Sequence, residues 1–236
     1  MTIQNTLAII TSACCFTSAH AATVLYAEDF TTTGTSNEFT SLIGWTSYRG
    51  ATAGDTLDNE ASPRWAAAGS TGVDSSQGFL FLQDSIGVAY EANAFSLLPT
   101  NITDFTYQAG NSSTAAEVRF IIQQNGNWYA TNSTYTTASK TISQFRTTSE
   151  TKTHAFTLAA ADWRELTITP GTGYTLSGAP LAADLSATDA ITSIGFYASG
   201  ANAIYRMDNL QINGIPEPSA LLLLGLAAPA ALRRKR

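Results

Sequence analysis

The stretch Glu117-Val118-Arg119-Phe120-Ile121-Ile122-Gln123-Gln124-Asn125-Gly126-Asn127-Trp128-Tyr129-Ala130 decides the fold. Two runs rich in β-branched and aromatic residues meet at Asn125-Gly126, and both turn residues tolerate the positive φ that a two-residue hairpin turn requires. The segment predicts a β-hairpin. On either side the same period recurs. Val24 to Phe30 opens the series; Gly78 to Gln83 and Gly87 to Glu91 read as a hairpin pair across Asp84-Ser85-Ile86. Asp104 to Gln108 alternates, and His154 to Leu158, Trp163 to Ile168, Ile191 to Ala198 and Ile204 to Ile212 complete the set. About ten short strands punctuated by Gly, Asn, Ser and Pro, with almost no helical period, predict an all-β chain folded as a single antiparallel β-sandwich. The Thr/Ser-rich stretches Thr31 to Thr40 and Asn132 to Ser143 read as loops or edge strands.

Composition agrees. Charged residues make up 13% of the 236, against roughly a quarter in an ordinary domain. There are 22 Ser and 34 Thr, so the polar surface is built largely from hydroxyls, which suits solvent-facing strands better than helices. A formal charge of −6 excludes the basic footprint of a nucleic-acid-binding protein.

Both ends read as processing signals. Leu7 to Phe16 is a short apolar run followed by Ser18-Ala19-His20-Ala21-Ala22. Small residues at Ala19 and Ala21 suit a signal peptidase, with cleavage before Ala22, and residues 1–21 form a signal helix to be removed. Cys14 and Cys15 are the only two cysteines, so the mature chain carries no thiol and no disulfide, zinc-thiolate or cysteine-nucleophile chemistry. At the other end stand Pro216-Glu217-Pro218, an apolar stretch from Ala220 to Leu232, and Arg233-Arg234-Lys235-Arg236. The apolar helix reaches only about 20 Å against a roughly 30 Å hydrocarbon core. It would enter the membrane transiently, with the basic cluster held on the cytoplasmic side.

This three-part tail resembles the PEP-CTERM sorting signal of Gram-negative bacteria, with Pro216, Glu217 and Pro218 in the motif and Arg233 to Arg236 at its basic end. The resemblance implies recognition by an exosortase and processing near the motif. It further implies an inner-membrane-anchored precursor and delivery to the cell surface or to an extracellular matrix of exopolysaccharide, as in biofilm. The chain then divides into a signal peptide (1–21), a sandwich domain (22–214) and a sorting signal (215–236).

The domain carries 8 basic and 17 acidic residues, a net −9 compatible with cations and neutral glycans. Val118-Arg119-Phe120, Asn125-Gly126-Asn127-Trp128-Tyr129, Trp163 before Leu166, and Tyr205-Arg206-Met207-Asp208-Asn209-Leu210 resemble bacterial jelly-roll sandwiches of the concanavalin-like and carbohydrate-binding-module type. In such sandwiches the first and last strands often meet around a structural calcium ion. Glu28 and Asp29 with Asp208 are the matching oxygen ligands; an equal reading has Asp208 and Asn209 simply ending a ladder.

Aromatic residues supply the candidate ligand contacts, since exposed rings stack on sugars while nearby amides and carboxylates bond hydroxyls. Trp45, Tyr48 and Trp65, in a Gly-rich and irregular-looking segment, are the preferred glycan-facing group; Trp128 and Trp163 read as packing residues. Hydrolytic chemistry finds little support. His154 is the only imidazole after signal removal, no G-x-S-x-G motif is present, and neither Asp58 with Glu60 nor Asp162 with Glu165 matches a glycosidase acid pair. The expectation is a non-enzymatic exported protein that binds exopolysaccharide. The alternative is a structural matrix protein without selective glycan affinity.

Overall fold

The computed structural model describes residues 23–30, 38–50, 64–66, 79–83, 86–92, 95–169, 173–200 and 204–215. Ala19, Ala21, Ala22 and the tail from Pro216 to Arg236 lie outside them. The strands are β1 (Thr23–Glu28), β2 (Glu38–Phe39), β3 (Trp45–Gly50), β4 (Arg64–Ala66), β5 (Phe79–Gln83), β6 (Ile86–Glu91), β7 (Ile102–Ala109), β8 (Ala116–Gln124), β9 (Asn127–Thr131), β10 (Glu150–Ala155), β11 (Trp163–Thr169), β12 (Gly173–Leu176), β13 (Ile191–Gly200) and β14 (Ile204–Gly214). One α-helix, α1 (Ile142–Thr148), precedes β10. Among the described residues no helix is long and apolar enough to cross a membrane.

Two seven-stranded sheets result, antiparallel in every pairing of the described residues, so the protein is the all-β sandwich that the strand pattern predicts. One, the β14 sheet, runs β10-β7-β14-β5-β4-β2, with β1 also along β14; the other, the β13 sheet, runs β12-β11-β9-β8-β13-β6-β3. The Asn125-Gly126 hairpin joins β8 to β9, with Gln124 opposite Asn127 and φ of +52° and +75° at the turn. That is the mirror-image turn whose twist matches the strands.

The expected pairing of the segments around 78–83 and 87–91 is overturned. β5 pairs with β14 and β4, whereas β6 pairs with β13 and β3. The chain passes there from one sheet to the other. A corner between sheets needs the same break in hydrophobic period as a hairpin, so local pattern does not separate the two. The helix α1 was also unforeseen. Its start carries a capping box, in which Thr141 Oγ1 accepts from Gln144 N and Gln144 Oε1 accepts from Thr141 N. Its Phe145 is buried edge-on against Phe79, 5.3 Å between ring centres.

Between the sheets lies an aromatic core. Phe105 of β7 stacks on Phe120 of β8 at 4.0 Å, and Phe196 of β13 meets Phe120 at 5.8 Å and Tyr107 of β7 at 4.9 Å. All four are fully buried. With no thiol in the described strands, this burial is what holds one sheet to the other, each large side chain contributing about 1.5–3 kcal/mol.

Phe120→Ala is expected to lower the unfolding free energy of the full-length protein by about 3–5 kcal/mol, because it leaves a cavity between the sheets. Gly126→Ala places a Cβ where nothing lies within 4 Å, so only its positive φ resists, at a cost of about 1 kcal/mol. Urea denaturation of both variants checks the ranking; equal losses would move the decisive contact away from the core.

Candidate functional site

Side chains alternate across a strand, so the residues of the β13 sheet that miss the core point to its other face. That face is not polar. Tyr48 of β3, Val88 and Tyr90 of β6, Tyr197 of β13, Ile121 of β8, Trp128 and Ala130 of β9, Leu166 and Ile168 of β11, and Tyr174 and Leu176 of β12 form a second apolar cluster. Strand register shows how it is built. Tyr90, Gly195, Ile121 and Ala130 lie opposite one another on successive strands. Gly195 and Ala130 leave low ground in that row, and flanking rings lean over it. Tyr90 and Trp128, from strands separated by β13 and β8, approach to 4.4 Å; Tyr48 lies 6.3 Å from Tyr90, and Tyr174 meets Tyr197 edge-on at 5.8 Å. Trp128 and Tyr197 are buried, whereas Tyr48, Tyr90 and Tyr174 keep part of their surface in solvent. Burial and a hydrogen bond with Tyr48 push the Tyr90 phenol well above its ordinary range.

Two arginines border the cluster. Arg119 Nη1 donates to the carbonyls of Thr131 (2.6 Å) and Asn132, and Arg164 donates through Nε to Asn132 Oδ1 (2.5 Å) and through Nη1 to Ser177 and Gly178 O. Burial, and then the neighbouring Arg164, lower the Arg119 pKa. Both guanidiniums hold loops in place at the edge of the aromatic face.

Of the glycan-facing group expected from sequence, Tyr48 lies on this outer face. Trp45 does not. It is 1% exposed, packed in the core against Phe30 (5.1 Å) and Phe196 (6.3 Å), which corrects the expectation that it faces a glycan. Trp45 opens β3 on the core-side parity, and its large apolar area favours the interior. Trp65 falls in β4, and its side chain lies outside the described residues, as do Asp58 and Glu60. Trp163 is buried in the core, as its strand position suggested. The sequence reading missed Tyr90 as a member of the face, although its alternation with Val88 was visible.

The first and last strands meet, Glu28 lying opposite Leu210. β14 changes neighbour here: Ile204 to Met207 pair with β5, and Leu210 to Gly214 with β1, leaving Asp208 and Asn209 at the switch. Asn209 and Phe30 both adopt positive φ, +49° and +50°. Asp208 Oδ1 accepts from Asn209 N (2.7 Å), and Glu28 Oε1 accepts from Phe30 N (2.7 Å). Burial pushes the Asp208 carboxyl up to about 7; the Asn209 N–H opposes this, and Asp29 and Glu28 reinforce it. Among the described residues, no group of three or more His, Cys, Asp or Glu is arranged to hold a metal ion. The candidate calcium residues Glu28, Asp29 and Asp208 come together where the first and last strands meet, near enough for the other two carboxylates to reinforce the Asp208 shift.

His154 is packed, not poised. Its Nδ1 shares a hydrogen bond with the Tyr135 hydroxyl (2.7 Å), its Nε2 is buried without a partner, and Phe105 and Trp163 each lie 6.2 Å from its ring. Burial lowers its pKa. Asp162 and Glu165 flank Trp163 at the start of β11.

No family model and no curated protein sequence matches the chain. Among solved structures, the family 11 carbohydrate-binding module of the cellulosomal cellulase Lic26A-Cel5E of Clostridium thermocellum is similar, with a TM-score of 0.44 at 14% identity over 86% of this chain and 99% of its own. The module TmCBM27, described in specific mannan recognition, gives 0.35 at 12% identity over 83% and 99%. A glycosyl hydrolase family protein from Mycobacterium fortuitum gives 0.36 at 10% identity over 80% and 99%. Likenesses of this degree carry no argument about ligand or activity, which must rest on the site itself.

The Asp208 shift has a definite sign. Between about pH 4 and pH 7 the folded state holds a proton that the unfolded chain has released, so the contribution of Asp208 to stability is greatest below that window and falls as pH rises through it. Asp208→Asn should remove this dependence. At pH 8 it should stabilise the full-length protein by up to about 4 kcal/mol, at about 1.36 kcal/mol per unit of pH. Thermal unfolding of both proteins from pH 4 to 8 is the check. His154 destabilises the acid side equally in both and cancels in the difference; parallel curves would show that Asp208 is not the group.

Proposed function

We propose that this chain is an exported, non-enzymatic β-sandwich that binds neutral glycan chains of an extracellular matrix across the outer face of its β13 sheet. The observation that carries the reading is the aromatic cluster itself. A two-layer sandwich requires one apolar face per sheet, and this sheet has two. Tyr48, Tyr90 and Tyr174 offer partly exposed rings over a base of Trp128 and Tyr197, suited to the C–H faces of successive sugars. Among the described residues, the enclosed position of His154 and the placing of Asp162 and Glu165 beside a core tryptophan support binding over acid–base chemistry at those groups.

Export and sorting belong to the same proposal and rest on sequence. Signal peptidase would act before Ala22. Pro216-Glu217-Pro218 would present the processing site to an exosortase while the following apolar stretch retains the precursor and Arg233 to Arg236 orient it. One observation favours the structural alternative: the contact between Tyr90 and Trp128 partly closes the face on itself, so a matrix spacer would show the same cluster with no ligand.

Affinity electrophoresis of the full-length protein through gels containing the producing bacterium's exopolysaccharide separates the two. Retardation is expected, weakened about tenfold or more in Tyr174→Ala and in Tyr48→Ala with the fold intact by circular dichroism. A wild-type protein that migrates unretarded favours the spacer.

A further inference from the structure

A cavity of about 310 Å³ lies between the end of the β8–β9 hairpin and the segment 177–190 that links β12 to β13. It is separate from the aromatic face. Gln124 and Tyr129, which line it, have the strand parity of core residues such as Ile122, opposite to Trp128. The cavity therefore opens on the other side of the β13 sheet, at the margin of the core.

Its walls are of two kinds. Leu181, Leu185 and the half-buried Tyr129 carry the apolar core out to the cavity. The lining also includes Asn125, Asp184 and Asp189. The polar wall is fixed in advance. Gln124 is 3% exposed; its Nε2 donates to the carbonyls of Ser186 (2.9 Å) and Asp189 (2.7 Å), and its Oε1 accepts from Ser186 N (3.1 Å). One buried amide thus pins the linking segment to the hairpin, which removes the ordering cost that a flexible loop would bring to binding. Each carboxylate is oriented through one oxygen: Asp184 Oδ1 accepts from Ala160 N (2.8 Å), and Asp189 Oδ2 from Asn125 Nδ2 (2.5 Å). The second oxygen of each has lone pairs left to accept from a ligand.

Among the described residues no Lys, Arg or His lines the cavity, which argues against phosphate, carboxylate or sulfate ligands. A cavity lined by apolar side chains and by two carboxylates with acceptor capacity to spare fits a compact neutral polyol with a C–H face and several hydroxyls. We propose that this cavity is a second binding site, taking a single neutral pyranose ring such as a glycan chain end. Two sites on opposite sides of one sheet would let a single molecule bridge two polysaccharide chains. The inference does not depend on the aromatic face, and either site can be lost without the other.

The test is an NMR titration of the full-length ¹⁵N-labelled protein with methyl β-D-glucopyranoside, methyl β-D-galactopyranoside and methyl α-D-mannopyranoside, each to about 50 mM, well above a millimolar Kd. At least one glycoside is expected to give saturable shifts at the Asn125 side-chain amide and at the Ser186 and Asp189 backbone. Ala182 is exposed on the cavity lining, so Ala182→Trp fills the space without entering the core and should weaken these shifts at least tenfold. Tyr174→Ala should leave them intact. Shifts that persist in Ala182→Trp, shifts confined to the aromatic face, or no shifts with any glycoside would each overturn the proposal. So would a response to methylammonium chloride alone, which would make the carboxylates a cation site.

Discussion

The stack of Phe105 on Phe120, 4.0 Å between ring centres, joins a strand of one sheet to a strand of the other, and much else in the molecule is set by it. With Phe120 turned inward, strand alternation sends Arg119 and Ile121 outward. The register carries this choice across the sheet: Ile121 lies opposite Gly195 and Ala130, and Gly195 opposite Tyr90. A slip of one residue in β8 would turn Phe120 outward and put Arg119 and Ile121 into the core. Core and candidate site are thus two readings of one register.

How far that register can be read from sequence differs by element. The β8–β9 hairpin was legible because its information is local: Asn125 and Gly126 adopt the positive φ that their chemistry permits. The break between β5 and β6 was not, because the choice between a hairpin and a crossing of the sandwich is made by β14 and β13, which lie far along the chain. Trp45 shows the same limit. A tryptophan among Gly, Ser and Thr looks exposed, but its burial against Phe30 and Phe196 depends on the pairing of β3 with β6. The meeting of first and last strands was foreseen through a jelly-roll resemblance. Of the two readings open for the residues there, the backbone carries the one in which Asp208 and Asn209 end a ladder, since they mark the point where β14 exchanges one neighbour for another.

The outer aromatic face follows from a second aspect of the sequence. β8 reads Val118 to Ile122 with apolar residues at both parities save for Arg119, and β13 reads Ile194 to Ala198 with aromatic rings at consecutive positions, Phe196 and Tyr197. A strand exposed on one face alternates; a strand covered on both does not. Phe196 is fully buried in the core and Tyr197 is buried on the other side. The broken alternation was therefore the signal for a second apolar surface, and it is carried by the sheet's central strands.

Electrostatics narrows the ligand class further. Among the described side chains, the cations are committed to the protein itself. Arg119 and Arg164 hold Asn132 and its neighbours, and the buried Arg206 donates to the carbonyls of Gly110 and Lys140. Lys152 pairs with Glu150 at 2.8 Å, and Lys140 lies 3.9 Å from the same carboxylate. A polyanion would meet a surface whose described positive groups already have partners, in a domain carrying 17 acidic residues against 8 basic ones. At these described groups, binding it would compete with those bonds, against long-range repulsion that salt screens only in part. A neutral chain faces no such opposition, and hydroxyls, rings and amides are the groups this protein has to offer it.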